Sequence, residues 1–278
     1  MLVTLNEILP EASASAGAIA CCNVFGFEDA RAILDAAEEL QRPVILATNK
    51  DMVDQLGVEA LAGMLLPMAR NSSAKVVLHL DHTYEEEIVY QAIHHGYSSV
   101  MFDGSQLPLE DNISRTRQVV KVAHAVGVSV EGEIGSVPYE TGRDHIRSIF
   151  TEPDQAARYA SESGIDCEAV AVGNIHRLTT PTCTIDYARL ADIEEQVTIP
   201  LVIHGTTGIP ETDILRLKQS RFAKFNVGTS LRMALGNNLR RLMEEQPEQF
   251  DRQYFMQQTM PFVRDEARRI IAMLSPEH

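Results

Sequence analysis

The stretch VVLHLDHTYEEEI, residues 76–88, sets an apolar run directly against His79, Asp81 and His82. Imidazoles beside a carboxylate can hold a metal ion and move a proton, but a strand that has simply reached solvent also ends in such residues at no cost. What else meets them decides between the two. His176 in AVAVGNIHR and His204 in PLVIHGTTG follow apolar runs of the same kind. Three histidines, His82, His176 and His204, match a known catalytic Zn2+ set in which a fourth position stays open to water or substrate. Strand periodicity adds a condition. Asp81 and His82 are neighbours and face opposite sides of a continuing strand, so both reach one site only where the strand is ending, as Thr83 and the helical stretch after it predict.

Distant residues meet only if the fold carries them to one place. Short β-rich runs lie at 18–25, 43–47, 75–79, 98–102, 129–134, 169–172, 200–204 and 222–227. Amphipathic, helix-length stretches lie between them at 28–40, 58–70, 84–95, 109–126, 154–163, 187–196 and 211–219. A strand followed by a helix, repeated through most of the chain, predicts an α/β fold of the (β/α)8 TIM-barrel type. All strands of such a barrel end at one mouth. There the third strand delivers His79, Asp81 and His82, the fourth Asp103, the fifth Glu131 and Glu133, the sixth His176, the seventh His204, and the eighth Asn226 and Thr229. The polar stretch 135–147 after the fifth strand is long enough for a mobile lid.

No linker or low-complexity block divides the chain, so residues 1–278 read as one domain. Helical stretches at 230–245 and 252–273 make a C-terminal extension over about 230–278, more than a minimal barrel needs, and favour a homodimer or homotetramer. A formal net charge of -15 excludes a phosphate-backbone footprint and with it nucleic acid as partner. The four cysteines, Cys21, Cys22, Cys167 and Cys183, lack metal or redox spacing and read as reduced core residues. With neither a signal sequence nor a long apolar segment, the chain reads as cytoplasmic, with no membrane partner.

Two glycine-bearing turns complete the mouth. HGTTG at 204–208 and NVGTS at 226–230 follow the seventh and eighth strands, where backbone N–H groups of barrel enzymes frequently hold phosphate. An ordinary helix cap at Thr229 or Ser230 explains the second turn equally well.

Taken in order, AIACCNVFGFEDARAIL, PVILAT, HLDH, GYSSVMFDGSQLPLEDN, VSVEGEIG, VAVGNIH, PLVIHGTTG and KFNVGTS resemble the class II, zinc-dependent ketose-bisphosphate aldolases, over almost the whole chain. The resemblance implies reversible aldol cleavage of a phosphorylated ketose to dihydroxyacetone phosphate, or a close analogue, and an aldehyde. On that basis His82, His176 and His204 are the zinc ligands and Asp81 the acid/base at the C4 hydroxyl. Asp103 and Glu133 hold an alternative or second metal position, and Glu140 is the proton-shuttling glutamate of the lid. Gly205, Thr207, Gly208, Asn226 and Thr229 cradle the ketose and its C1 phosphate. Lys224 does not replace zinc as a Schiff-base lysine; it reads as a strand residue that helps position the phosphate loop.

The departures from the family pattern border the substrate. Arg177 stands where glycine usually follows the strand-six histidine, HGTTG where HGGSG or HGASG is usual, and Asn49 or Thr48 where serine or threonine is expected after PVIL. Glycine there lets backbone approach phosphate, often beside a monovalent cation, Na+ or K+. An arginine brings a fixed charge and a planar fork instead, expected to contact an anionic group of the substrate, the alternative being that it turns outward and pairs with a surface carboxylate. Two other functions fit a barrel: a non-catalytic subunit supporting a partner aldolase, and a metal-dependent hydrolase. Retention of Asp81 with all three histidines counts against the first, and the lack of an HxH pair on strand one counts against the second.

Overall fold

The structure is a computed structural model that describes residues 1–143 and 145–276. Asp144 of the expected lid, and Glu277 and His278 at the end of the expected extension, lie outside the described residues. The strands are β1 (Ile19–Asn23), β2 (Val44–Asn49), β3 (Val76–Thr83), β4 (Ser99–Phe102), β5 (Ser129–Ile134), β6 (Cys167–Val170), β7 (Leu201–Ile203) and β8 (Phe222–Val227). They pair in chain order, all parallel, and β8 returns to β1 to close the barrel. Parallel strands need crossovers, and the chain supplies α2 (Phe27–Leu40), α4 (Val58–Asn71), α5 (Glu86–His94), α6 (Leu109–Ala125), α7 (Pro153–Ser163), α8 (Tyr187–Gln196) and α9 (Glu211–Leu217). The (β/α)8 expectation is met.

Two short helices had no clear sequence signal. The first, α1 (Leu9–Ala14), follows a 3-10 turn at Leu5–Glu7. Leu5, Ile8, Leu9 and Ala12 are buried against inward-facing Ile19, Cys21, Ile45 and Val77, so the N-terminal stretch plugs the amino end of the barrel. The second, α3 (Lys50–Leu56), starts directly from β2, with the Asn49 side chain accepting from Met52 N–H as its cap. Asn49 thus has a structural duty besides its place at the mouth.

The sixth strand falls two residues earlier than expected. The apolar run continues past Val170, but the N–H of Val172 goes to Asn174 Oδ1 and leaves the sheet. The C-terminal helices α10 (Thr229–Glu245) and α11 (Arg252–Leu274) follow β8. Buried Ala267, Ile270, Ile271 and Leu274 hold α11 in the core that lies between barrel and helices, where it packs on α2. No single helix among the described residues is long and apolar enough to cross a membrane.

Above the apolar plug the barrel interior turns polar. Lys224 Nζ lies 2.7 Å from Glu131 Oε2, and neither side chain is exposed. Lys224 also donates to Asn226 Oδ1 at 2.6 Å, so it does steady the turn after β8, but from inside the barrel. His79 lies at the same depth, hydrogen-bonded to Ser99, and is no part of the strand end. Removing one partner of a buried ion pair leaves an uncompensated charge. Lys224→Met is therefore expected to cost about 3–5 kcal/mol of stability, read from the midpoint of urea denaturation. An unchanged midpoint would show that the pair contributes nothing.

Candidate metal centre and substrate cleft

β3 continues through Thr83, yet Asp81 and His82 both face the mouth. The pairing with β4 shifts register between Leu80 and Thr83. His82 itself has φ +47, the left-handed region that a side chain seldom enters and that costs about 1–2 kcal/mol. This kink, and not the end of the strand, breaks the alternation. Asp81 then receives Asn23 Nδ2 on one oxygen at 2.9 Å and Asn226 Nδ2 on the other at 3.1 Å. Burial pushes the Asp81 carboxyl up, but His82, His204 and Lys224 outweigh it and hold it below the usual carboxylate range.

The three histidines come together. His82 Nε2 lies 2.8 Å from His204 Nδ1, and a nitrogen of His176 lies within 4.8 Å of both. The far side of each of the first two rings is held by a carboxylate: His82 Nδ1 by Asp103 Oδ2 at 2.9 Å, His204 Nε2 by Glu131 Oε1 at 3.0 Å. If those outer nitrogens donate, two lone pairs face each other across 2.8 Å, which only a shared proton or a bound cation relieves. His176 Nε2 is buried without a hydrogen-bond partner. Three convergent imidazoles, two oriented by carboxylates, are the donor set that zinc takes.

The carboxylates around the rings favour positive charge at this place, as a proton on His82 or as a cation that displaces it. Burial alone lowers the His82 imidazole, but Asp81, Asp103 and Glu133 push it up to about 9. Burial, then the neighbouring imidazoles, hold His176 and His204 well below the ordinary histidine range, which keeps them as neutral donors. Asp103 and Glu133 form a second group around His82. Glu133 Oε2 stands 3.9 Å from His82 Nδ1 with no hydrogen-bond partner, and burial, then Asp103, push its carboxyl well up.

Beside the histidines a cleft of about 50 Å³ is lined by Asn23, Asn49, Gly205, Thr207, Thr229 and three arginines, Arg143, Arg177 and Arg232. Thr207 Oγ1 accepts from Ser230 N–H, tying the turn after β7 to the start of α10. Gly208 is not among the lining residues; it packs on Leu178 and Cys183. Glu140 is exposed, and its side chain does not line the cleft either. Its backbone N–H donates to His176 O, so the loop is fastened to the strand-six histidine. Arg177 adopts φ +63 and directs Nη2 to Asp51 Oδ2 at 3.0 Å.

Sequence reasoning missed Asn23, Tyr139, Arg143 and Arg232. Tyr139 stacks on His176 with ring centroids 4.3 Å apart and an interplanar angle of 19°. Its only signal was its place beside Glu140 in VPYE. Asn23 ends β1 as a polar residue after an apolar run, the same signal that marked the other strand ends.

The family model for class-II fructose-bisphosphate aldolase matches residues 3–277. The chain is similar to the crystal structure of the YdjI aldolase from Escherichia coli K12, with 30% identity, 99% of this chain and 98% of that chain covered, and a TM-score of 0.87. It is also similar to a putative fructose-1,6-bisphosphate aldolase from Coccidioides immitis, with 26% identity, 96% and 94% covered, and a TM-score of 0.84. A fructose-bisphosphate aldolase from Campylobacter jejuni shares the fold at 21% identity, with 98% and 95% covered and a TM-score of 0.82.

The turn that carries His204 depends on one glycine. Gly205 has φ +73, and a Cβ there would lie 2.3 Å from the backbone oxygen of Ile175. Gly205→Ala is expected to cost about 1–3 kcal/mol, read by thermal denaturation. A melting temperature equal to the parent's would mean that the turn relaxes freely.

Proposed function

As the chain belongs to the class-II fructose-bisphosphate aldolase family, a family of metal-dependent lyases, we propose that it is a zinc enzyme. It cleaves a phosphorylated ketose reversibly to dihydroxyacetone phosphate, or a close analogue, and an aldehyde. The observation that carries this reading is the approach of His82, His176 and His204 beside the buried Asp81 carboxylate. Zinc held by the three imidazoles supplies a Lewis acid for the carbonyl oxygen and for the negative charge that cleavage releases.

The chain's own residues do the rest. Asp81, charged and fixed by Asn23 and Asn226, takes the C4 hydroxyl proton as the C3–C4 bond breaks and returns it in the condensation direction. Glu140 moves the C3 proton once the loop that carries it turns inward; its exposed position makes that movement a requirement. Gly205, Thr207, Asn226 and Thr229 form the C1 phosphate cradle beside the start of α10, and Gly208, which packs on Leu178 and Cys183, shapes the turn from behind. Asp103 and Glu133 are an alternative metal position. A monovalent cation, Na+ or K+, belongs beside the cradle to the extent that Arg177 does not replace it. Residues 1–278 act as one cytoplasmic domain in a homodimer or homotetramer, in line with an α10 that leaves most of its length half-buried or exposed.

The purified protein is expected to carry about one zinc per chain and to release triose phosphate from a ketose phosphate in a chelator-sensitive way. Alanine at His82, His176 or His204 should remove zinc and cleavage together; full zinc content in all three variants would contradict the ligand set. Asp81→Asn is expected to keep zinc and lose about two to four orders of magnitude in turnover. Turnover near the parent's would assign the proton transfer to another group.

A further inference from the structure

Two of the three convergent imidazoles are held from behind by a carboxylate, His82 by Asp103 and His204 by Glu131. The third is held differently. His176 Nε2 is buried, and no hydrogen-bond partner reaches it among the described residues. A metal-binding imidazole needs its ring direction fixed, and that duty ordinarily falls to a hydrogen bond on the nitrogen away from the metal. Here another part of the chain must supply it.

The loop after β5 does so. Tyr139 stacks on His176 with ring centroids 4.3 Å apart and an interplanar angle of 19°. His82 and His204 meet the same imidazole at 75° and 76°, so of the rings around His176 only Tyr139 lies along its face. Main-chain hydrogen bonds flank the stack on both sides. His176 N–H donates to Pro138 O at 2.8 Å, and Glu140 N–H donates to His176 O at 3.0 Å, which clamps residues 138–140 to the turn after β6. Below the clamp, Ser136 and Ile149 exchange N–H···O bonds and close the base of the loop.

Two cations complete the setting of the ring. Arg143, from the same loop, stands over Tyr139 at 5.1 Å, and Arg177, the residue after His176, at 5.3 Å. Both favour an aromatic face at this place. Tyr139 is only half-buried and stands on a loop outside the barrel, so core packing does not account for its alignment with the imidazole. A stacked aromatic pair contributes beyond the area it buries, and it restrains the tilt of both rings.

We infer that Tyr139 is a positioning residue of the metal centre: its ring does for His176 what Asp103 and Glu131 do for His82 and His204. Glu140 is the next residue and shares the clamp. A movement of the loop that brings Glu140 inward is therefore felt at the Tyr139 ring, and the hold on the third imidazole is coupled to the state of the lid. The identity of the metal rests on the zinc reading; the link between loop and imidazole rests on the contacts themselves.

Metal binding tests this without recourse to catalysis. The full chain is stripped of metal and titrated with Zn2+ against a chromophoric chelator, and with Co2+, whose visible absorption weakens when an imidazole gives way to water and the coordination number rises. The proteins compared are the parent, Tyr139→Phe, Tyr139→Leu, His176→Ala, and His176→Ala combined with Tyr139→Leu, with thermal denaturation of the metal-free forms to verify that each is folded. Tyr139→Leu should bind Zn2+ about tenfold more weakly than the parent and show a weakened Co2+ spectrum. Tyr139→Phe, which keeps the aromatic face, should match the parent in both. In the His176→Ala background Tyr139→Leu should change nothing further, because the contact it removes is already gone. Parental affinity and spectrum in Tyr139→Leu would overturn the inference. So would an equal loss in Tyr139→Phe, which would point to the hydroxyl, or an undiminished effect of Tyr139→Leu without His176, which would point to the loop alone. A folded parent that takes up neither Zn2+ nor Co2+ would overturn the zinc reading and this inference with it.

Discussion

The left-handed backbone at His82 is the constraint on which the centre depends. A regular third strand sends Asp81 into the barrel and His82 out to the helices, so that proton transfer and metal binding could not share a site. The register shift between Leu80 and Thr83 removes that conflict at the cost of a strained residue. Asp103 holds the imidazole in its new direction, and Glu131 holds His204 opposite it. Each of these carboxylates is buried, and each is acceptable there only because a cation or N–H faces it.

The barrel is layered accordingly. Apolar side chains from the N-terminal stretch close its amino end. Above them Lys224 neutralises Glu131, whose other oxygen carries His204. Asp81 and the imidazoles come next, and the arginines with Asp51 stand at the mouth. Positive charge is thus concentrated where an anion must enter, against the acidic character of the chain as a whole.

The fold was legible in the sequence because strand and helix stretches alternate without interruption, and a parallel barrel delivers every strand end to one face. That rule brought His82, His176, His204, Asp81, Asp103 and Glu133 to one mouth, where His82 lies within reach of the other two histidines and of Asp103 and Glu133, and Asp81 precedes it in the strand. What the sequence hid depends on backbone and loop geometry. The kink at His82 has no glycine to announce it, so the strand was expected to end early. The N-terminal stretch is too short and irregular to display a helical period, although its apolar residues fill the barrel. Arg143, Tyr139 and Asp51 sit on loops or at a helix start, where partners are chosen by tertiary approach and not by spacing. The glycine usual at its position marks Arg177 in the sequence, but its contact with Asp51 depends on two turns, distant in the chain, that meet at the mouth.

On the proposed reading, His82, His176 and His204 bind zinc while Asp81 stays free to move a proton. Zinc-edge X-ray absorption of the full chain tests it most directly. Three imidazole nitrogens at about 2.0–2.1 Å are expected around the metal, with the outer scattering of their rings, retained when Asp81 is replaced by Asn. A shell dominated by carboxylate oxygens, or one that changes its nitrogen count in Asp81→Asn, would contradict it.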